Sequence, residues 1–213
     1  MPPLGRLHLI TDTRPGRNPL AVVRAALAAA QTARAADQVV VQVRVEDSTS
    51  DREAYDLATR VVRECAAVGA TCLVNDRLHV ALAAGAAGGH VGADDLPVAA
   101  ARRVLGPSAT LGATARDPET ARAAVAAGAS YLGVGPCYPT STKDGLPPPI
   151  GPRGLADVAG AVDVPVIAIG GVTADRVPEL LAAGAYGVAV VGAVSAAADP
   201  SRATAQLLGA LRC

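Results

Sequence analysis

Gln42, Arg44 and Glu46 alternate at the end of a short apolar run, so an extended backbone turns all three to one side. An inward arginine is costly unless it is paired or faces a ligand. Two further runs end in Asn75-Asp76 and in Gly92-Ala93-Asp94-Asp95. Asp76 and Asp95 therefore come from separate strand ends, either to share one hard cation such as Mg²⁺ with water oxygens or to serve as turn and cap residues. The stretch 136–151 is the longest irregular segment and holds Thr140, Ser141, Thr142 and Lys143, the one lysine of the chain. Its hydroxyls and ammonium suit phosphate, and long loops in compact folds tend to carry function. Gly170-Gly171 and Val191-Gly192 follow two later apolar runs, where small residues expose backbone N–H groups to an anion.

Other polar residues read as structural. His8 and His79 are expected to pack or lie on the surface, His90 to be a satisfied core histidine, and Tyr55, Tyr131 and Tyr186 to contribute packing alone. No Ser-His-Asp set and no dinucleotide-binding glycine fingerprint is present, which disfavours acyl and hydride transfer. Cys65, Cys72, Cys137 and Cys213 form no CxxC pair, so they are expected to be reduced thiols rather than zinc ligands or a disulfide frame. Nineteen Lys and Arg balance nineteen Asp and Glu. That balance argues against nucleic acid and anionic membranes as partners and leaves small-molecule substrates, with homo-oligomerisation open. The N-terminal residues lack a signal-peptide run, and the expected location is the cytoplasm.

The elements that must position these residues repeat along the chain. Strand-length apolar runs are read at 7–11, 39–43, 71–74, 89–91, 110–112, 131–134, 164–169 and 187–191. Helical stretches are read at 19–35, 51–68, 117–127, 175–183 and 200–211, several opened by Asp, Ser or Thr. One joint recurs almost letter for letter, as Ala83-Ala84-Gly85-Ala86, Ala126-Ala127-Gly128-Ala129 and Ala182-Ala183-Gly184-Ala185. A glycine there lets a helix end turn back to a strand. Eight units in 213 residues give about 27 residues each, close to a βαβ repeat. With 51% hydrophobic but 2% aromatic residues, and no Phe or Trp, the core must be aliphatic. Uniform spacing favours an α/β fold in which residues 1–213 form a single (β/α)8 TIM barrel, over an open doubly wound sheet.

Several segments in this order resemble thiamine phosphate synthases. They are Leu9-Ile10-Thr11-Asp12, Val74-Asn75-Asp76, His90-Val91-Gly92 with Asp94-Asp95-Leu96-Pro97, Gly133-Val134-Gly135-Pro136 leading into Thr140-Ser141-Thr142-Lys143, and Ile169-Gly170-Gly171. The resemblance implies a (β/α)8 transferase that joins hydroxymethylpyrimidine pyrophosphate to thiazole phosphate with Mg²⁺, releasing pyrophosphate. It assigns Gln42, Arg44, the Glu46 position, Asn75, Thr114 and Lys143 to the pyrimidine substrate. Arg44, Thr114 and Lys143 then carry the catalysis, and Asp76 and Asp95 hold the metal. Thr140, Ser141, Thr142, Gly171, Val191 and Gly192 fall on the thiazole phosphate site.

Two positions depart from the family pattern. Glu46 stands where the family has Lys, an exchange of two charge units beside an expected pyrophosphate. Arg116 stands where many members and the related thiazole tautomerases have His. A tautomerase-like enzyme and a non-catalytic thiazole phosphate binder are therefore the alternatives to the synthase.

Overall fold

The computed structural model describes residues 4–140, 145 and 147–212. Eight strands run parallel in chain order: β1 (Leu7–Ile10), β2 (Val39–Val43), β3 (Thr71–Asn75), β4 (Gly88–Val91), β5 (Thr110–Ala115), β6 (Tyr131–Val134), β7 (Val166–Ile169) and β8 (Gly187–Val190). Pairing of β1 with β8 closes them into a barrel, as the spacing predicts. Around it lie α1 (Pro19–Thr32), α2 (Asp51–Val68), α3 (Leu78–Ala84), α4 (Val98–Leu105), α5 (Pro118–Ala126), α6 (Gly151–Ala159), α7 (Val177–Ala182), α8 (Gly192–Ser195) and α9 (Pro200–Ala210). Among the described residues no helix is long and apolar enough to cross a membrane.

Local chemistry sets these boundaries. Ser50 caps α2 by accepting from the Glu53 N–H while the Glu53 side chain reaches back to Ser50, satisfying two donors at once. Asp117 and Asp199 cap α5 and α9 through their carboxylates. The repeated joint works as its glycines suggest, since Gly85, Gly128 and Gly184 all take positive φ (70°, 104° and 93°) as the chain leaves a helix for the next strand. Helices α3, α4, α6 and α8 are additions to the sequence reading. Each is short and has no side-chain N-cap hydrogen bond, so the usual start signal is missing.

Strand parity divides the core into two shells. The larger shell lies between strands and helices and includes Leu9, Val41, Val74, Leu111 and Leu132. The smaller fills the barrel itself, with Ile10, Val40, Leu73, Tyr131, Ile167 and Ala189. Without Phe or Trp, the inner shell is filled at one side by Tyr131, the largest fully buried side chain. The His8 ring packs against it with centroids 5.1 Å apart. Gly112 makes the room, because a Cβ there would come within 2.2 Å of Tyr131 Cζ. No residue larger than glycine fits beside that ring.

Burying His8 couples the fold to pH. Complete burial, with a smaller contribution from nearby His90, pushes the His8 pKa down to about 3, while the Gly5 carbonyl at 3.2 Å acts weakly in the opposite direction. The unfolded chain protonates near pH 6.5 and the folded one does not, so the unfolded state binds the extra proton between these values. Stability should fall as pH drops below about 6.5, with His8 costing about 2 kcal/mol at pH 5. Denaturant unfolding of the protein and of His8→Asn at pH 7 and pH 5 checks this, and the variant should lose that share of the pH dependence.

Candidate active site at the barrel mouth

Inward parity continues to the C-terminal ends of the strands, where it gathers polar residues. Gln42 on β2 is 5% exposed, and Asn75 on β3 and Thr114 on β5 are half-buried. Asn75 pairs in register with His90 of β4, so the third and fourth strand ends are adjacent. Arg44 lies one inward step beyond Gln42. Its backbone is fixed by Thr11, whose hydroxyl donates to the Arg44 carbonyl at 2.6 Å and accepts from the Arg44 N–H at 2.9 Å. The Arg44 guanidinium stands 3.6 Å from the Glu46 carboxylate, so Glu46 shares the arginine's side of the chain and is its ion partner.

The two expected metal carboxylates follow those adjacent strand ends. Asp76 adopts φ 59°, a left-handed conformation that Asp tolerates better than most residues, and its N–H donates to the His90 carbonyl at 2.9 Å. Asp95 Oδ2 accepts from the Gly92 N–H at 2.7 Å, which folds the β4 loop back over the strand end. Among the described residues no cluster of three or more His, Cys, Asp or Glu side chains could hold a metal. Two carboxylates fit Mg²⁺ nonetheless, because this ion is commonly held by one or two carboxylates, with water and substrate phosphate completing its shell.

The histidine and tyrosine assigned to packing form a polar chain below this layer. The Gln42 amide nitrogen lies 3.5 Å from the Tyr131 hydroxyl, that hydroxyl 3.1 Å from His90 Nδ1, and His90 Nε2 3.1 Å from Thr114 Oγ1. Burial pushes the His90 pKa down to about 4 despite the opposing charge of Asp95, so the ring is neutral at pH 7. Asp12, just past β1, is a further polar residue outside the expected site. It is 4% exposed, binds Arg14 at 2.8 Å and Arg17 at 3.4 Å, and accepts from Ser195 of α8 at 3.2 Å. Hydrogen bonding from Arg14 is the main influence holding its pKa down at about 2. An Asp at a strand end followed by two arginines was the sequence signal for it.

On the opposite side of the mouth, the segment after β6 packs onto the glycine turn after β7. Cys137 and Tyr138 N–H groups donate to the Ile169 and Gly170 carbonyls at 2.8 and 3.0 Å. The Tyr138 ring lies 4.3 Å beneath the Arg176 guanidinium, and its hydroxyl donates to Glu179 at 2.5 Å. Arg116 brackets the base of the same segment by donating to the Gly135 and Pro148 carbonyls at 3.3 and 2.7 Å. Thr140 is half-buried beyond this base, while Ser141, Thr142 and Lys143 lie outside the described residues. Val191 precedes α8, whose first turn starts at Gly192 and leaves backbone N–H groups without intrahelical acceptors.

Residues 7–194 match the thiamine monophosphate synthase family. The thiamine-phosphate synthase of Salinispora arenicola is 70% identical over 213 residues, covering all of both chains. The chain belongs to this family. The thiamine-phosphate synthase of Salinibacter ruber is 41% identical, over 98% of this chain and 89% of its own. Among solved structures, a thiamine phosphate pyrophosphorylase from Pyrococcus furiosus superposes with a TM-score of 0.85 at 32% identity, covering 97% of this chain and 95% of that one.

Membership in the thiamine monophosphate synthase family makes the turn at Gly171 informative. The sequence reading keeps this residue small so that phosphate can approach, and the structure adds a packing reason. Gly171 has φ 64°, and a Cβ there would lie 2.6 Å from the Pro139 carbonyl oxygen and 2.8 Å from Tyr138 Cβ. Gly171→Ala should therefore cost about 2–4 kcal/mol through a strained φ and forced repacking. It should also displace the base of the segment that carries Thr140. The denaturation midpoint measures the first effect, and an unchanged midpoint would mean that the 136–139 segment does not pack on this turn.

Proposed function

We propose that this chain joins hydroxymethylpyrimidine pyrophosphate to thiazole phosphate, forming thiamine phosphate and releasing pyrophosphate. The observation that carries the reading is the gathering of Gln42, Arg44, Asn75 and Thr114 at the ends of β2, β3 and β5, with glycine turns after β7 and β8 at the same mouth. Such an arrangement offers a cationic and polar station for pyrophosphate and a backbone station for a second phosphate, the latter at the strand pair where barrels of this class often bind phosphate. Both stations belong to one barrel, which we treat as a single domain.

In the proposed reaction the bond between the pyrimidine methylene carbon and the pyrophosphate oxygen breaks first. Pyrophosphate leaves with the electron pair, the aminopyrimidine stabilises the cationic carbon, and the thiazole nitrogen donates its lone pair to that carbon. Arg44 and Thr114 are assigned to the departing oxygens, together with Lys143 from outside the described residues. Gln42 and Asn75 orient the pyrimidine pyrophosphate. Thr140, Ser141, Thr142 and the backbone at Gly171, Val191 and Gly192 hold the thiazole phosphate close to the cation, where proximity replaces any need for a strong base. Asp76 and Asp95 would hold Mg²⁺, which supplies positive charge to the pyrophosphate oxygens. The Cys65, Cys72 and Cys137 thiols are free and buried, in keeping with a reducing cytoplasm.

Incubating the purified protein with both substrates and Mg²⁺ tests the reading directly, and thiamine phosphate is the expected product. Binding of thiazole phosphate without turnover would favour the non-catalytic alternative. Asp76→Asn and Asp95→Asn keep the shapes of their turns while removing charge. Each should lower kcat at least about 10²-fold, the scale of losing one electrostatic element of a preorganised site, and shift the Mg²⁺ dependence to higher concentration. A double variant with the original Mg²⁺ dependence would remove both residues from the metal site.

Glu46 gives a further prediction, because its carboxylate competes with pyrophosphate for Arg44. Glu46→Lys removes the competitor and adds a cation. At this partly exposed position the exchange should be worth about 1–2 kcal/mol, which lowers KM for the pyrimidine substrate about tenfold at low salt. The gain should shrink as salt is raised. An unchanged KM at low salt would show that the Glu46 charge is not felt at the pyrophosphate station.

A further inference from the structure

We infer that His90 is a positioning residue that fixes the Thr114 hydroxyl as a hydrogen-bond donor toward the barrel mouth. The inference rests on the reading of Thr114 as a pyrophosphate contact and adds the device that orients it. A threonine hydroxyl has one proton, so a neighbour that accepts that proton competes with an anion for it, whereas a neighbour that donates to the oxygen leaves the proton to the anion.

The chain from Gln42 to Thr114 provides that occupation. Gln42 donates its amide N–H to the Tyr131 hydroxyl across 3.5 Å. Having accepted there, the tyrosine has its own proton to place, and His90 Nδ1 stands 3.1 Å away. A neutral imidazole that accepts at Nδ1 carries its proton on Nε2, and Nε2 is 3.1 Å from Thr114 Oγ1. Thr114 then accepts from His90, and its proton is left to point away from the ring. The opposite tautomer would take the threonine proton into the interior and leave the Tyr131 proton facing the donating Gln42 nitrogen. With the Gln42 nitrogen on the tyrosine oxygen, the first arrangement is the one that gives the Tyr131 proton an acceptor.

Packing holds the ring where this requires. Tyr131 and His90 are 1% and 8% exposed, with ring centroids 5.6 Å apart. A Cβ at Gly112 would fall 2.4 Å from His90 Nδ1, and one at Gly133 would fall 3.0 Å from His90 Cε1. Two glycines on neighbouring strands therefore form the slot that admits the imidazole. Thr114 lies two residues beyond Gly112 on β5, the next inward position toward the mouth.

Two measurements test the inference. Nitrogen-15 NMR of histidine-labelled, unliganded protein, with His90 identified by its loss in His90→Gln, should show Nδ1 unprotonated and Nε2 protonated. The reverse tautomer would overturn the inference whatever Thr114 binds. In steady-state kinetics, Thr114→Val should lower kcat about 10²-fold, and Tyr131→Phe, which releases the tautomer, about tenfold, with KM for thiazole phosphate unchanged in both. The Tyr131→Phe/Thr114→Val double variant should be no slower than Thr114→Val alone, because the relay acts only through that hydroxyl. His90→Gln, which keeps a donor to Thr114, should retain more activity than His90→Leu. Full multiplication of the two losses, or an unchanged kcat in Tyr131→Phe beside a slow Thr114→Val, would refute the relay. An unchanged kcat in Thr114→Val would instead refute the reading of Thr114 itself, and the inference with it.

Discussion

A buried phenol governs how this barrel is filled. Tyr131 supplies the fully buried aromatic bulk of a mainly aliphatic interior, and its ring contacts both His8 and His90. Its hydroxyl cannot be buried without partners, so the ring draws Gln42 and His90 into hydrogen bonds. Filling and polarity are thereby one constraint. The same atoms that close the interior form the floor on which the residues of the mouth stand.

Above that floor, positive charge is held in check by local carboxylates. Arg44 faces Glu46, while Arg14 and Arg17 meet at the nearly buried Asp12. An arginine with an ion partner keeps fewer conformations and so loses less entropy when an anion arrives, but the anion must compete with the carboxylate already there. The balance differs at the two pairs. Asp12 is also tied to Ser195 and fixes the loop after β1 to α8, whereas Glu46 is more than one-third exposed and binds only across 3.6 Å.

Much of this architecture was legible from spacing. The eight strands follow from apolar runs separated by the repeated Ala-Ala-Gly-Ala joint, and β2 and β6 fall where the pattern puts them. β5 extends three residues beyond the reading because Ala113, Thr114 and Ala115 carry little strand signal yet pair with β6. β7 begins two residues later than the apolar run, after Pro165, which has no N–H to give the ladder. Alternation turned Gln42 inward, where its amide meets the Tyr131 hydroxyl. It left His90 and Tyr131 as packing residues because their polar partners come from other strands, and no single run reveals a contact between strands. The inward glycines Gly112 and Gly133 were the trace of that contact, since a strand gives up side chains where a neighbour's ring must enter.

The buried phenol also gives the protein an optical signature. With no tryptophan and four tyrosines, near-ultraviolet absorption is dominated by phenol rings. Burial raises the Tyr131 pKa well above that of a free phenol, and burial together with Glu179 raises that of Tyr138 to about 12. In alkali the unfolded chain forms phenolate at all four rings, while the intact barrel withholds at least the innermost. The last step of phenolate absorbance therefore reports the opening of the barrel, from a group the protein already carries.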